Sequence, residues 1–307
     1  MLNLETKYLA EVRDESGQLK QLVPNVPDTF NFAYDVIDEI SSKDPLKQAL
    51  IWLNPAGEQH TFTFADITYW SNKTANYFKG LGIEKGSKVL VILRRHYQFW
   101  FVTPALDKLG ALMVPATFML KEHDLEYRLK AASIDAIVCT SVGEIASVVE
   151  NVCAKDEFKH IKRIMIQGEA SKDDEEYVCS ACISPSASKR GWLDFNKGVA
   201  SSGPSLKRVE TKATDGMLMY FSSGTSGNPK MVLHDAGYAV AHIVTAKYWH
   251  QVVEDGIHFT IADTGWGKAV WGKYYGQWFM EQTVFAYDFD RFDAEEILSL
   301  IEKYRIT

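Results

Sequence analysis

The sequence is poor in the features that mark several classes of protein. Four cysteines in 307 residues are too few for a disulfide scaffold, and the single C-x-x-C, Cys179 and Cys182, lacks the second pair that a zinc site needs. No apolar stretch approaches the roughly 18 residues of a membrane span, and the opening residues do not resemble a signal or transit peptide. The net charge of −7 argues against nucleic acid as a partner. These absences predict a cytoplasmic protein with no membrane span.

Three familiar loop motifs are also missing. A Walker A loop requires Gly before its lysine and Ser or Thr after it, whereas Lys230 stands between Pro229 and Met231. The pattern G-x-G-x-x-G fails because Gly265 and Gly267 lead to Val270. G-x-S-x-G is absent too, which excludes a nucleophile elbow of the hydrolase type.

What the chain does contain is an alternation of strand-like and helical segments. GSKVLVIL (86–93), ALMVPA, DAIVCT and RIMIQ read as buried strands, separated by helical patterns at 97–109, 121–132 and near 142–153. The alternation resumes at MLMYF (217–221), and helices are expected near 235–250, 266–280 and 293–304. This order predicts an α/β fold with mainly parallel sheets covered by helices on both faces.

The predicted domain organisation follows breaks in this pattern. Residues 1–60 are expected to form an N-terminal extension that packs on the core, and 61–200 a first α/β lobe. Residues 168–190 are charged and then serine-rich without periodicity, which predicts an exposed insertion. Residues 214–307 are expected to form a second lobe that is incomplete at its C-terminal end.

The stretch YFSSGTSGNPK (220–230) carries the clearest chemical signal. A buried strand leads into small residues that expose backbone N–H groups and hydroxyls, and one lysine follows, as in a phosphate-binding loop. A flexible surface turn and an amidohydrolase site using Ser222 or Ser223 are the alternatives. The candidate phosphate ligands are Ser222, Ser223, Gly224, Thr225, Ser226, Gly227, Asn228 and Lys230.

The longer string YFSSGTSGNPKMVLHD resembles the phosphate-binding loop of the adenylate-forming superfamily, and in particular AMP-forming acyl-CoA synthetases. Met231 and His234 are similar to the medium-chain branch, as are VPDTFNFAYDVIDEI (26–40) and ADTGWGKAVWGKYYGQW (262–278). Phe118-Met119 and Glu281-Gln282 depart from that branch's usual residues, which puts its finer substrate and CoA contacts in doubt.

The resemblance implies a ligase that joins a carboxylic acid to ATP as acyl-AMP and then to coenzyme A, with Mg²⁺ as metal cofactor. It assigns Lys230 to the pyrophosphate charge, and Trp266, Gly265 and His234 to the substrate side; it places no metal ligand in this chain. Trp271, Tyr274, Tyr275 and Trp278 recur at helical spacing and are expected to be helix core rather than acyl pocket.

Members of that family are much longer than 307 residues. The resemblance therefore implies an N-terminal portion that lacks the adenine, ribose and Mg²⁺ contacts and the C-terminal lysine. Such a fragment is expected to be inactive, and its open sheet edge favours self-association. A non-CoA adenylating enzyme and a nucleotide- or acyl-binding module are the alternatives, and acyl chain length stays open.

Overall fold

The computed structural model describes residues 2–167, 182–222 and 227–307. The strands in these residues are β1 (Leu9–Arg13), β2 (Leu19–Pro24), β3 (Gln48–Leu53), β4 (Gln59–Thr63), β5 (Lys88–Ile92), β6 (Leu112–Pro115), β7 (Ala136–Thr140), β8 (Lys162–Ile166), β9 (Trp192–Asp194), β10 (Gly216–Ser222), β11 (Lys230–Asp235), β12 (Ile257–Phe259) and β13 (Thr283–Tyr287).

The helices complete the alternation that the sequence predicts. They are α1 (Glu5–Tyr8), α2 (Asp38–Lys43), α3 (Phe64–Gly80), α4 (Phe99–Leu109), α5 (Glu122–Ala132), α6 (Ile145–Cys153), α7 (Pro185–Lys189), α8 (Phe195–Ala200), α9 (Gly237–Val244), α10 (Gly267–Lys273), α11 (Tyr275–Phe279) and α12 (Ala294–Lys303). Two π-helical segments, Ala33–Ile37 and Thr245–Trp249, continue into α2 and extend α9, and a 3₁₀ turn covers Asp156–Phe158. Among the described residues, none of these helices has the length and apolar character to cross a bilayer.

Two sheets and a small hairpin organise the strands. The larger sheet has the order β11-β10-β6-β5-β7-β8-β9, and the smaller has the order β12-β13-β3-β4. Only β11 in the first and β4 in the second run antiparallel to their neighbours. The β1–β2 hairpin stands apart from both. The prediction of a mainly parallel α/β fold is therefore confirmed.

Side-chain alternation along the strands separates the hydrophobic core into layers. In β5, Val89 and Val91 belong to a core shared with the smaller sheet, whereas Leu90 and Ile92 face the opposite side. Helices α3, α4, α9 and α11 contribute to the shared core, α5 and α6 cover the outer face of the larger sheet, and α12 covers the outer face of the smaller one. The result is a stack of five alternating helix and sheet layers.

Local signals place several element ends. The hydroxyl of Thr63 accepts from the backbone N–H of Asp66, whose carboxylate accepts from the N–H of Thr63, so a capping box begins α3. Such a cap is worth about 1 kcal/mol. The helix expected near 266–280 is interrupted at Tyr274 (φ −143°, ψ −83°), which separates α10 from α11.

The sheets do not follow the predicted segments of the chain. Strand β3, within the stretch predicted as an N-terminal extension, lies between β13 and β4, and strand β10 pairs with β6 in the larger sheet. Crossover connections bring strands that are distant in sequence side by side, so neither sheet is confined to one segment. Residues 168–181 of the predicted insertion lie outside the described residues; Ile183 and Ala187, in its remainder, are buried.

Candidate functional site

The carboxyl ends of strands from both sheets meet at one place, which we call the carboxyl-end junction. Arg94 follows β5, and Thr264 lies in the loop after β12. The backbone N–H of Thr264 donates to the carbonyl oxygen of Arg94 at 3.0 Å, and its hydroxyl donates to the same oxygen. Ligands of open α/β sheets bind outside the carboxyl ends of the strands, so this junction is the expected site.

Gly265 allows the loop after β12 to touch the loop after β6. A Cβ atom at Gly265 would lie 2.4 Å from the backbone carbon and oxygen of Ala116 and 2.5 Å from the backbone nitrogen of Thr117. No side chain fits in that space. The contact fixes the position of the next residue, Trp266, whose backbone begins α10 and whose side chain is 56% exposed.

His96 links the two sheets at the junction. Its Nδ1 lies 2.7 Å from Oδ2 of Asp288, which follows β13, and its Nε2 lies 2.7 Å from Oγ1 of Thr140 at the end of β7. All three side chains are buried. Burial would raise the pKa of Asp288, but the hydrogen bond from His96 and the charges of His96, Arg94 and Arg95 hold that pKa below its usual value.

Two arginines beside His96 hold the loop after β13. Arg94 has a φ of +45° and donates to the side chain of Asp290 and to the carbonyl oxygen of Phe289. Arg95 stacks on the ring of Phe289 at 4.0 Å and donates to the carbonyl oxygen of Ile261 at 3.1 Å. The positive backbone angle of Arg94 is unusual for a residue with a side chain, and strain of this kind is concentrated at functional sites.

Two buried ionisable residues lie behind the loop after β12. Oδ1 of Asp263 accepts from the backbone N–H of Gly265 at 2.9 Å, whereas Oδ2 has no partner among the described residues. Burial raises the pKa of Asp263 and lowers the pKa of Lys273 to about 7. Lys273 donates to the carbonyl oxygen of Thr260 at 3.0 Å. The loop that carries Gly265 is therefore supported by groups whose charged forms are disfavoured.

The predicted phosphate loop connects two antiparallel strands. Ser222 at the end of β10 pairs in register with Lys230 at the start of β11, and its hydroxyl donates to the Lys230 carbonyl oxygen at 3.4 Å. Lys230 is exposed, and none of the ion pairs formed among the described residues involves its ammonium group. Ser223, Gly224, Thr225 and Ser226 lie outside those residues.

The described part of this loop is open to solvent at Gly227 and Asn228. Gly227 has a φ of +93°, which favours glycine, and among the described residues no atom beyond its own chain neighbours lies within 4 Å of where its Cβ would be. Asn228 is exposed beside it. The hydroxyl of Tyr127 donates to the carbonyl oxygen of Pro229 at 2.9 Å and so anchors the loop to α5.

Comparison with known proteins agrees with this geometry. A sequence model of the family described as AMP-binding enzyme matches residues 37–307. The chain belongs to this family. The string YFSSGTSGNPKMVLHD led us to expect an AMP-forming enzyme, and that expectation is confirmed.

Individual AMP-binding enzymes resemble nearly the whole chain. The human acyl-coenzyme A synthetase ACSM3, mitochondrial, is 28% identical over 289 residues, which are 92% of this chain and 46% of that protein. The mouse acyl-coenzyme A synthetase ACSM4, mitochondrial, is 30% identical over 301 residues, 96% of this chain and 48% of that protein. The chain thus spans about half the length of these curated relatives.

Solved structures show the same fold. The acyl-CoA synthetase of Brucella canis superposes with a TM-score of 0.77 at 20% identity, covering 92% of this chain and 47% of its own. The anthranilate CoA ligase AuaEII, in complex with anthranoyl-AMP, superposes with a TM-score of 0.74 at 21% identity. The superposition covers 92% of this chain and 49% of the ligase chain.

One prediction from the sequence is wrong by these comparisons. A cytoplasmic location was expected from the character of the first residues. The human and mouse acyl-coenzyme A synthetases above are named as mitochondrial.

The residues predicted on the substrate side of this AMP-binding enzyme lie around Tyr220. The ring of Tyr220 is 5.8 Å from that of His234, and its hydroxyl donates to the carbonyl oxygen of Gly267 at 3.4 Å. His234 stacks against Tyr238 at 4.1 Å, and burial lowers its pKa. Trp266 directly precedes Gly267, so Tyr220 on β10 connects the His234 side of the site with the Trp266 side.

The aromatic stripe after Trp266 divides into two parts. Tyr274, Tyr275 and Trp278 are fully buried, in agreement with their prediction as core. Trp271 is half-buried, and it lines a surface groove together with residues of α9. The stripe prediction therefore does not hold for Trp271.

The sequence reasoning passed over Arg94, Arg95 and His96. A signal was available, because three basic residues directly follow the apolar stretch 89–93, and the carboxyl end of its strand faces the expected site. Their partners, Asp288 and Thr140, are 192 and 44 residues away from His96. No local pattern shows that pairing.

Proposed function

We propose that this chain forms the phosphate- and acid-binding part of an AMP-forming acid–thiol ligase. In the first half-reaction, a carboxylate oxygen attacks the α-phosphorus of ATP, giving an acyl adenylate and pyrophosphate. In the second, the thiol of coenzyme A attacks the acyl carbon and AMP leaves. Membership of the AMP-binding enzyme family and the hairpin of Ser222 and Lys230 support the proposal.

The observation that carries it is the exposed cation of Lys230 at the end of the loop. The first half-reaction joins two anions, so charge neutralisation and alignment dominate its barrier. Two unit charges 4 Å apart interact with about 1 kcal/mol in water and about 4 kcal/mol at an effective dielectric constant of 20. One lysine is too weak alone, and backbone N–H groups of the loop would share the phosphate.

The loop fits phosphate groups better than it fits a metal. Lys230, the Ser222 hydroxyl and the open backbone at Gly227 would hold the β- and γ-phosphates. Mg²⁺ bound with the nucleotide would supply further positive charge there. In residues 2–167, 182–222 and 227–307, no group of three or more His, Cys, Asp or Glu side chains is arranged to hold a metal ion.

Calorimetric titration of the purified chain with pyrophosphate and with MgATP tests the proposal. Lys230→Ala is expected to weaken binding by about tenfold, which corresponds to about 1.4 kcal/mol. Lys79→Ala is the matched control, because Lys79 is also exposed but lies at the end of α3, and it is expected to bind as the unaltered chain does. Equal affinities for all three proteins would reject the phosphate role of Lys230.

A further inference from the structure

A groove of about 520 Å³ lies beside α9 and α10. It is lined by His242, Val244, Thr245, Tyr248, Trp249 and Trp271. Its volume is in the range of small-molecule sites, which are mostly apolar and aromatic with a few placed polar groups. None of the lining residues is an acid, a lysine or an arginine, so the groove suits an uncharged part of a ligand.

His242 supplies a polar atom for which the structure shows no use. Its Nδ1 lies 3.1 Å from Oγ1 of Thr245, while its Nε2 is buried and has no hydrogen-bond partner among the described residues. Burial, together with the nearby imidazoles of His234 and His250, lowers the pKa of His242 to about 4. At neutral pH the ring is uncharged, and an unpaired buried nitrogen of this kind is costly unless a ligand satisfies it.

The two tryptophans of the groove differ in how firmly they are held. The indole of Trp271 is parallel to the rings of His250 at 5.7 Å and His242 at 6.3 Å, with interplanar angles of 12° and 13°. Trp249 is 78% exposed, which leaves a large apolar surface in water. A flat ligand ring would cover that surface and gain ring–ring attraction beyond the area it buries.

Contacts between aromatic and imidazole rings connect the groove to the phosphate loop. Tyr238 lies 4.4 Å from His242 and 4.1 Å from His234, measured between ring centroids. His234 and Lys230 are four residues apart on β11, so their side chains share one face of the strand. The groove and the anion-binding residues are therefore linked by direct contacts.

We propose that this groove binds the ring of an aromatic carboxylic acid that carries a hydroxyl or amino group, with the substituent hydrogen-bonded to Nε2 of His242. The proposal rests on the proposed function in one respect, since it takes that acid to be the substrate that is activated. A hydroxyl can donate to Nε2 or accept from it, so it suits either tautomer of the imidazole.

Binding of three probe acids to the purified chain without ATP, followed by tryptophan fluorescence and calorimetry, tests the assignment. The probes are 3-(4-hydroxyphenyl)propanoate, 3-phenylpropanoate and octanoate. The hydroxylated acid is expected to bind about 2- to 10-fold more tightly than the unsubstituted one, the range for one net hydrogen bond. Octanoate is expected to bind most weakly. Tighter binding of octanoate, or no binding of either ring acid, would overturn the proposal.

Substitutions locate the binding. Trp249→Ala, at a position that is 78% exposed, is expected to lower affinity for both ring acids about tenfold or more. His242→Phe is expected to abolish the preference for the hydroxyl group while ring binding persists. Trp70→Leu is the control, because Trp70 lies on α3 outside the groove. If Trp266→Leu loses ring-acid binding and Trp249→Ala keeps it, the ring binds at Trp266 and the assignment is overturned.

The two proposals can fail separately. Ring acids that bind as described, with MgATP affinity unaffected by Lys230→Ala, would leave the groove assignment standing and reject the phosphate role. If Lys230→Ala weakens MgATP binding while Trp249→Ala leaves ring-acid affinity unchanged, the phosphate role would stand and the groove assignment would be rejected.

Discussion

At the scale of single residues, the carboxyl-end junction depends on a few side chains with partners far along the sequence. His96 contacts Asp288 and Thr140, and the carbonyl oxygen of Arg94 accepts from Thr264. The contacts with Asp288 and Thr264 join the end of β5 in the larger sheet to loops of the smaller one, whereas the contact with Thr140 lies within the larger sheet. Together they fix the loops after β12 and β13 against the carboxyl end of β5.

We expect Gly265→Ala to destabilise the chain by about 1–3 kcal/mol, because the added methyl group would overlap the backbone of Ala116 and Thr117 and force the loops apart. Gly267→Ala is the matched control. A Cβ there would lie 3.5 Å from the ring of Tyr220, an ordinary contact. Urea unfolding of the three proteins measures the difference. Similar midpoints for both variants would contradict a tight approach at Gly265.

Asp107 predicts a specific pH dependence of stability. Burial raises its pKa to about 7, although a hydrogen bond from Tyr274 and the charge of Lys108 oppose the shift. The folded state thus binds this proton more tightly than the unfolded chain, whose carboxyl has a pKa of about 3.9. The contribution of Asp107 to the free energy of unfolding falls as pH rises from about 4 to about 7 and is constant above.

We therefore expect Asp107→Asn, which keeps an acceptor for Tyr274, to remove this slope. The free energy of unfolding of the variant should exceed that of the original chain, and the excess should be larger at pH 8 than at pH 5. Urea unfolding at both values measures the gain. A gain that is the same at pH 5 and pH 8 would show that Asp107 does not titrate in this window.

At the scale of elements, local patterns identified most strands and helices correctly. The apolar strands β5, β6, β7 and β8 and the helices between them fall where the sequence periodicity puts them. The interruption at Tyr274 was not foreseen, because its aromatic neighbours continue the helical spacing. The tertiary contact of the buried Tyr274 ring with Phe32 competes with the local preference there.

The edge of the larger sheet predicts self-association. Strand β11 is the last strand in that sheet, and Met231, Val232 and Leu233 are 46%, 40% and 57% exposed. An apolar edge with free N–H and C=O groups can pair with a second copy. We expect sedimentation to show concentration-dependent oligomers that Leu233→Lys reduces. Leu46→Lys, which removes an 83% exposed leucine from a turn, should not reduce them. An equal effect of both substitutions would point to general surface hydrophobicity instead.

At the scale of the whole molecule, the chain matches its relatives over about half of their length. We expect the 307-residue chain to bind ATP or pyrophosphate weakly and to form no thioester at a useful rate. Precise alignment dominates this chemistry, and a misplacement of about 1 Å can cost about 100-fold in rate. A thioester assay beside the full-length mouse ACSM4 tests this, with calorimetry to show that the chain is folded. Turnover within tenfold of that enzyme would contradict the expectation.

The sequence by itself determined the kinds of elements and the parallel character of the sheets, and it predicts anion-binding chemistry for the loop that ends in Lys230. These features are local: burial periodicity, cap residues and small-residue loops are read within a few positions of one another. The tertiary structure alone decided that β3 lies between β13 and β4, that His96 joins Asp288 to Thr140, and that Trp271 and His242 line one groove. Such pairings depend on which long-range connections allow the buried faces of all layers to pack together. A local sequence pattern does not show which distant segment will be the partner.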